Sequence, residues 1–313
     1  MNLKIRNFRS IQSQDIDLAP ITVVYGANGA GKSSLLYTLL TLKNIVLNPN
    51  QPPGGFFNYG GANLGNFKAV VFDHQENNNV ELGITLDLTN NVRLKYEVSV
   101  GRAESAFTFV LRDTSGTETR LHLPVTFPYP ANLTAEETIA NFGIIWNGMT
   151  AQVQAQGSTP SEQEVGNRIA ALINTPVETL TRVALVPHKR GFTKPEHHAV
   201  SVSLMMTGED EIATMLSNEK YVVSKVSHYL EQLLQRDFRV NVRPGTAIFS
   251  LDAVDKRTGI STELVNDGFG VNQVVYMLAK TLHQDAGWVC IEEPDGLVAA
   301  PGEHQQLRAR EAA

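Results

Sequence analysis

Cysteine is nearly missing from the sequence: Cys290 is the one cysteine in 313 residues. That excludes an internal disulfide framework and fits a reducing compartment, so a cytoplasmic protein is expected. Long apolar runs are missing too. None reaches the length of a membrane span, and no membrane is expected among the partners. The N-terminal MNLKIRNFRS alternates polar and apolar residues and reads as a strand, not as a leader peptide. Positive charge is in deficit, with 26 Lys and Arg against 32 Asp and Glu, a net charge of −6. Such a chain gains no global attraction to nucleic acid, although a local basic patch stays open. Aromatics are only 7% of the residues and are scattered, which excludes a stacking platform for single strands. No short-period repeat is present.

What is present is ordinary globular composition, 42% hydrophobic and 19% charged. The length suits one large domain or two ordinary ones. Residues 2–6 and 21–25 read as strands around a polar link, RSIQSQDIDLAP. Residues 33–46 read as a helix with Leu35, Leu36, Leu39, Leu40 and Ile45 on a broad apolar face. A Pro/Gly/Asn-rich loop follows. VELGITLDL, VRLKYEVSV and AFTFVLR alternate and are separated by turn-type spacers, which predicts an antiparallel meander. Residues 134–184 read as two or three helices. Residues 209–235 repeat Ile212, Leu216, Val223, Val226 and Leu230 at helical spacing. RVNVR, AIFSLDAVD and ISTELV return to strand, VNQVVYMLAKTLHQ to helix, and WVCIEE to a short buried strand.

GANGAGKS fits G-x-x-x-x-G-K-[ST], with Gly26, Gly31, Lys32 and Ser33 in the fixed places. An apolar ITVVY precedes it and SLLYTLL follows. Glycines let the backbone turn where a β-carbon forbids it, so successive N–H groups can face inward. The helix N-terminus adds partial positive charge at the same point. Lys32 supplies a mobile cation for β- and γ-phosphates, and the Ser33 hydroxyl a ligand for Mg²⁺. GWVCIEEPDG sets Val289, Cys290 and Ile291 before the adjacent carboxylates Glu292 and Glu293. The first suits a metal ion and the second suits an attacking water. Neighbouring strand residues point to opposite faces, so serving both roles requires the strand to end there, and Pro294 helps to end it. NDGFGVNQ is a further glycine turn opening a helix, another anion-seeking N-terminus. With one phosphate loop already in the chain, its economical role is to cap the γ-phosphate of a nucleotide held by a second copy.

Together these three elements resemble an ABC-type ATPase head of the RecF, chromosome-maintenance and OLD (overcoming lysogenization defect) kind. LKIRNFRSIQSQDIDLAPITVVYGANGAGKSSLL is similar to that group throughout, DGFGVNQVVYMLAKTL to its variant signature, and CIEEPDG to its carboxylate strand. The resemblance is specific at residues 2–40 and 264–295 and loose between. It implies an α/β P-loop NTPase with a mixed central sheet, an antiparallel meander and a helical insertion. Two ATP molecules with Mg²⁺ would be sandwiched between two heads. Gly26, Ala27, Asn28, Gly29, Ala30, Gly31, Lys32, Ser33 and Ser34 would cradle the phosphates, and Arg9 would approach the adenine or the phosphates. Glu292 would be the metal-side acid and Glu293 the general base. Gly268, Phe269, Gly270 and Gln273 would act in trans, and Gln75 would be the metal-sensing glutamine. The expected layout is a core at 1–130, a helical arm or lid at 131–236 and core again at 237–313.

Departures from the group are equally specific. Related heads continue past the acid strand into another strand that ends in a switch histidine. Here twenty residues follow Glu293, and His304 has no strand before it. The resemblance thus implies that this histidine, one core strand and the nuclease domain of the full OLD type are missing here, with a naturally shortened head, a fragment, or a site completed by a partner as the open alternatives. VPHKRGFTKPEHH is the one dense basic and histidine stretch. His188, Lys189, Arg190, Lys194, His197 and His198 are candidates for touching nucleic acid or a partner, against the plainer alternative of a solvated loop. Metal binding by His188, His197 and His198 lacks a convincing spacing. Three functional classes stay open. One is an ATPase dimer that controls an effector such as a nuclease, with DNA a further candidate partner. Another is a nucleotide sensor with little turnover. The third, an effector in its own right, lacks a carboxylate cluster outside the nucleotide site.

Overall fold

Leu3, Ile5 and Phe8 alternate with polar residues and are fully buried in the first strand, β1 (Asn2–Phe8). The structure, a computed structural model, describes residues 1–59, 62–88, 92–130, 134–139, 142–154, 159–283 and 286–293. Pro294 and His304 therefore lie outside the described residues. Two compact units are present, Met1–Val183 and Ala184–Ala313. The sequence instead suggested breaks near 130 and 236.

In the first unit β1 turns at Arg9 and Ser10 into β2 (Ile11–Asp17), with Ile5 opposite Gln14. Much of the predicted polar link is thus a strand. It was read as a link because β2 is a sheet edge, where exposed polar residues replace the alternation of a half-buried strand. Helix α1 (Lys32–Leu47) follows, then the single turn α2 (Phe67–Val70). β3 (Val80–Asp87), β4 (Arg93–Val100), β5 (Ser105–Arg112) and β6 (Glu118–Val125) complete a six-stranded antiparallel sheet in the order β2-β1-β3-β4-β5-β6. Leu94, Tyr96, Val98 and Val100 line its buried face. Each such side chain contributes about 1.5–3 kcal/mol through burial. The opposite face carries Lys4 between Glu81 and Glu97, at 3.0 and 2.7 Å.

The meander is where the alternation placed it. The segment after it is not mainly helical. β7 (Ala135–Ile139), β8 (Phe142–Trp146) and β9 (Ala151–Gln154) form a three-stranded antiparallel sheet. A 22-residue helix, α3 (Pro160–Thr181), then starts at a Thr159/Glu162 capping box with Pro160 in its first turn. The 134–154 stretch misleads because its Gln and Ala favour helix while its pairing partners decide for strand.

The strand predicted at 21–25 is absent. Ile21, Val23 and Tyr25 are 85%, 78% and 91% exposed. A β-branched run fits a pleated neighbour rather than dictating a strand by itself, and among the described residues no strand pairs with this one.

The second unit opens with β10 (Val183–Val186), whose first residue closes the preceding unit. β11 (Glu196–His198), helices α4 (Glu209–Asn218) and α5 (Lys220–Leu234), β12 (Arg236–Val242), β13 (Ile248–Asp255), β14 (Ser261–Glu263), helix α6 (Phe269–Leu282) and β15 (Trp288–Ile291) follow. The helix predicted over 209–235 is broken at Glu219 into α4 and α5. β13 runs antiparallel to β12, β11 and β14, and β10 pairs with β15. Ile212, Leu216, Val226, Leu230, Leu251 and Val275 sit in one apolar core between these helices and strands. Among the described residues, no helix is long and apolar enough to cross a membrane.

Candidate functional site

The glycine loop of the first unit has the backbone that its sequence demands. Gly26, Gly29 and Gly31 have φ of 146°, 82° and 92°. The last is the left-handed N-cap of α1. A Cβ on Gly29 would meet nothing within 4 Å, so conformation and not space requires glycine there. At Gly31 both matter, because a Cβ would lie 3.0 Å from Ser10 Oγ. Residues 26–30 are exposed. Lys32 folds back over them, its Nζ donating to the carbonyls of Gly26 and Ala27 at 2.8 and 2.9 Å. Ser33 is exposed in the first turn of α1, and Ser34 is buried with its Oγ 3.5 Å from Ser10 Oγ.

The turn between β1 and β2 leans on this loop from one side. Arg9 has φ 52°, donates its N–H to Val70 O at 2.6 Å, and holds its guanidinium 5.3 Å from the Tyr37 ring centroid. Its Nη1 is buried with no hydrogen-bond partner among the described residues. Gln75 is exposed and engaged within its own loop, donating to Asp73 Oδ2 and accepting from Asn78 Nδ2.

In the second unit the acid pair directly follows β15, and a turn at 187–190 lies against it. The Glu292 N–H donates to Val186 O at 3.0 Å. Arg190 is buried and forks onto the backbone, Nη1 donating to Glu292 O at 2.7 Å and Nη2 to Glu293 O at 2.8 Å. The backbone N–H of His188 faces Glu292 Oε2 at 3.3 Å, and its ring Nδ1 lies 2.7 Å from Glu293 Oε2. Glu293 itself has φ 45°, a left-handed conformation uncommon for a non-glycine residue.

Sequence reasoning placed His188 and Arg190 in a basic surface stretch and missed this role. The available signal was a second short apolar strand, VALV, directly before the stretch. Two short apolar strands in one unit are natural partners. The stretch is also not one basic surface: Arg190 and His197 are buried, and Lys194 is bound to Asp210 at 2.6 Å. His197 Nδ1 faces Asp210 Oδ1 at 3.0 Å, and with Glu209 these two form a group whose ligand atoms lie within 4.8 Å of one another. Lys194 already supplies a cation to both carboxylates there.

The turn that opens α6 is fixed by its neighbours. Gly268 has φ 104°. Asp267 Oδ2 accepts from Arg236 Nε at 3.1 Å. Asn272 is buried, accepting from the Phe192 N–H and donating to the Phe192 carbonyl, each at 2.7 Å. It clasps the fold and does not offer its amide to an anion. Gln273 is 6% exposed, and its Oε1 is buried without a partner among the described residues. Phe269 stands 74% exposed, and Gly268 is exposed beside it, with Gly270 partly buried.

Ser33, Glu292 and the amide oxygen of Gln75 are hard oxygen ligands of the kind Mg²⁺ takes. Of the three, Ser33 is exposed in the first turn of α1, directly after Lys32.

Comparison with curated proteins gives no match. Residues 2–122 match the family model of an AAA domain. That stretch holds β1, the glycine loop, α1 and the meander through most of β6. The match, with an α/β fold consistent with it, makes residues 2–122 similar to AAA-type P-loop ATPases, a family that typically binds ATP with Mg²⁺.

Proposed function

We propose that this chain binds ATP with Mg²⁺ at residues 26–34 and hydrolyses it. Two copies close around the nucleotide, and closure controls a partner protein in DNA repair or anti-phage defence. The observation that carries the reading is the loop itself: three glycines at positive φ open a helix whose first residue is Lys32. Successive N–H groups and a cation at a helix N-terminus are what a triphosphate needs. Glu293 is assigned as general base and Glu292 as metal-side acid. That assignment rests on the order of motifs along the chain and on the left-handed backbone of Glu293, since such strain gathers at reactive positions. Gly268, Phe269 and Gly270 are assigned to the second copy's nucleotide, and Phe269 has the exposure such a contact needs. The further reach, to DNA-processing partners and the ABC-type head, rests on resemblance alone.

One observation favours a second reading, a nucleotide sensor with little turnover. The segment leading into the glycine loop has no strand partner among the described residues, so the loop is held from its helix side. ATP turnover and calorimetric binding separate the two readings. Hydrolysis predicts turnover that Lys32→Ala and Glu293→Gln both abolish, with affinity lost only in Lys32→Ala. Wild-type turnover no faster than either variant, with affinity intact, selects the sensor. No affinity in folded, magnesium-supplemented protein overturns both.

A further inference from the structure

We propose that His188 is a positioning residue for the Glu293 carboxylate, and that the 187–190 turn is the scaffold holding the acid pair. This rests on the reading of Glu293 as general base. Three independent observations meet at one point. Glu293 is in the left-handed region, a conformation that costs free energy unless its surroundings impose it. The buried Arg190 imposes it, since its fork binds the carbonyls of Glu292 and Glu293, one on each side of the Glu293 Cα, and so restrains the backbone torsions of that residue. His188 then fixes what lies beyond the backbone, with Nδ1 at 2.7 Å from Glu293 Oε2.

An ionised carboxylate only accepts, so Nδ1 carries the hydrogen and donates it. This leaves Oε1 as the carboxylate oxygen that His188 does not engage. In hydrolysis the water oxygen bonds to the γ-phosphorus, and the bond from that phosphorus to the β,γ-bridging oxygen breaks. The electron pair leaves with ADP, and the water's proton passes to Oε1. His188 neither gains nor loses a proton; it sets the direction in which Oε1 faces. A free Glu side chain samples several rotamers, and a general base works only from the one in reach of its proton.

The side chains of His188 and Glu293 are 59% and 68% exposed, so replacing His188 leaves the core intact. Three forms of the full chain test the assignment. His188→Leu removes the donor, and His188→Asn keeps an N–H donor close to the position of Nδ1. The expected result is a roughly tenfold loss of kcat in His188→Leu, the low end for a hydrogen bond to a charged group because the pair is exposed. ATP affinity should stay within about twofold, and His188→Asn should recover kcat to within about threefold. Nitrogen-15 NMR of the neutral His188 ring should show hydrogen on Nδ1 in the wild type, reverting to Nε2 in Glu293→Ala. Turnover unchanged in His188→Leu, no recovery in His188→Asn, or hydrogen on Nε2 in the wild type each overturns the proposal while leaving ATP hydrolysis standing. Wild-type turnover no faster than Glu293→Gln overturns the hydrolysis reading itself and removes the role assigned to His188 with it.

Discussion

Lys43 sits in the fourth turn of α1, among Leu39, Leu40, Leu42, Ile45 and Val46, and is 4% exposed. Its Nζ donates to Val183 O at 2.6 Å, and no carboxylate pairs with it among the described residues. Burial penalises the charged form and pushes its pKa from 10.5 down to about 8. That drop corresponds to about 3 kcal/mol of native-state stability withheld at pH 7. The folded pKa lies below the unfolded one, so between pH 8 and 10.5 the unfolded chain holds a proton that the folded chain lacks. Stability from this group therefore rises with pH across that window. The penalty is complete below about pH 8 and gone above about pH 10.5.

Lys43→Met removes the titration and keeps the side chain's length. It also strands the Val183 carbonyl, at a cost of about 1–3 kcal/mol. The two effects nearly cancel at pH 7, so the variant should be as stable as the wild type there or slightly more so. At pH 10.5 only the stranded carbonyl remains, and the variant should be the weaker by about 1–3 kcal/mol. Urea unfolding from pH 7 to 10.5 measures this, with Trp146 as reporter in a Trp288→Phe background. The difference between variant and wild type should move by about 3 kcal/mol across the series. A difference that stays flat with pH would refute the reasoning, because it would mean that Lys43 keeps its charge and hydration in the folded state.

Asn272→Ala leaves the Phe192 N–H and carbonyl without their partner, which should cost roughly 2–5 kcal/mol in the second unit. Urea unfolding followed by Trp288 fluorescence should show it, and a loss below about 1 kcal/mol would mean the clasp is dispensable. Cys290 is buried, and its thiol is pushed up to about 12 by desolvation and then by the charge of Glu292. In native protein at pH 8 it should resist a chromogenic disulfide reagent for as long as the fold stays closed, and react at once in denaturant. Immediate reaction in the native state would place β15 in contact with solvent.

The legible parts of this sequence were those whose signal is local or strictly periodic. The glycine loop announced itself because its φ values and its lysine are neighbours in sequence. The meander from Val80 to Arg112 announced itself because one face of each strand is buried, which writes a period of two into the residues. β2 was illegible because a polar edge strand has no buried face to mark it. The strand predicted at 21–25 failed for the converse reason: ITVVY has the composition of a strand, but pairing is decided elsewhere in the chain. The 187–190 turn was illegible because its meaning depends on a contact across about a hundred positions, from Arg190 to Glu292 and Glu293. Arg190 is also basic, and composition alone assigns a basic residue to the surface.

The posture of Lys32 follows from the same local chemistry and sets a condition on what the loop can bind. Its Nζ holds two carbonyls of its own loop, at 2.8 and 2.9 Å. An ammonium has three donors, so a phosphate oxygen can take the third or draw Nζ away from Gly26 and Ala27 by offering a full negative charge. On the proposed reading a γ-phosphate does so, because it adds the attraction of a full negative charge that two carbonyl dipoles lack. A nucleoside or a neutral ligand does not. On that reading Lys32 favours ligands by charge, and nucleotides with more phosphate charge should gain most from it.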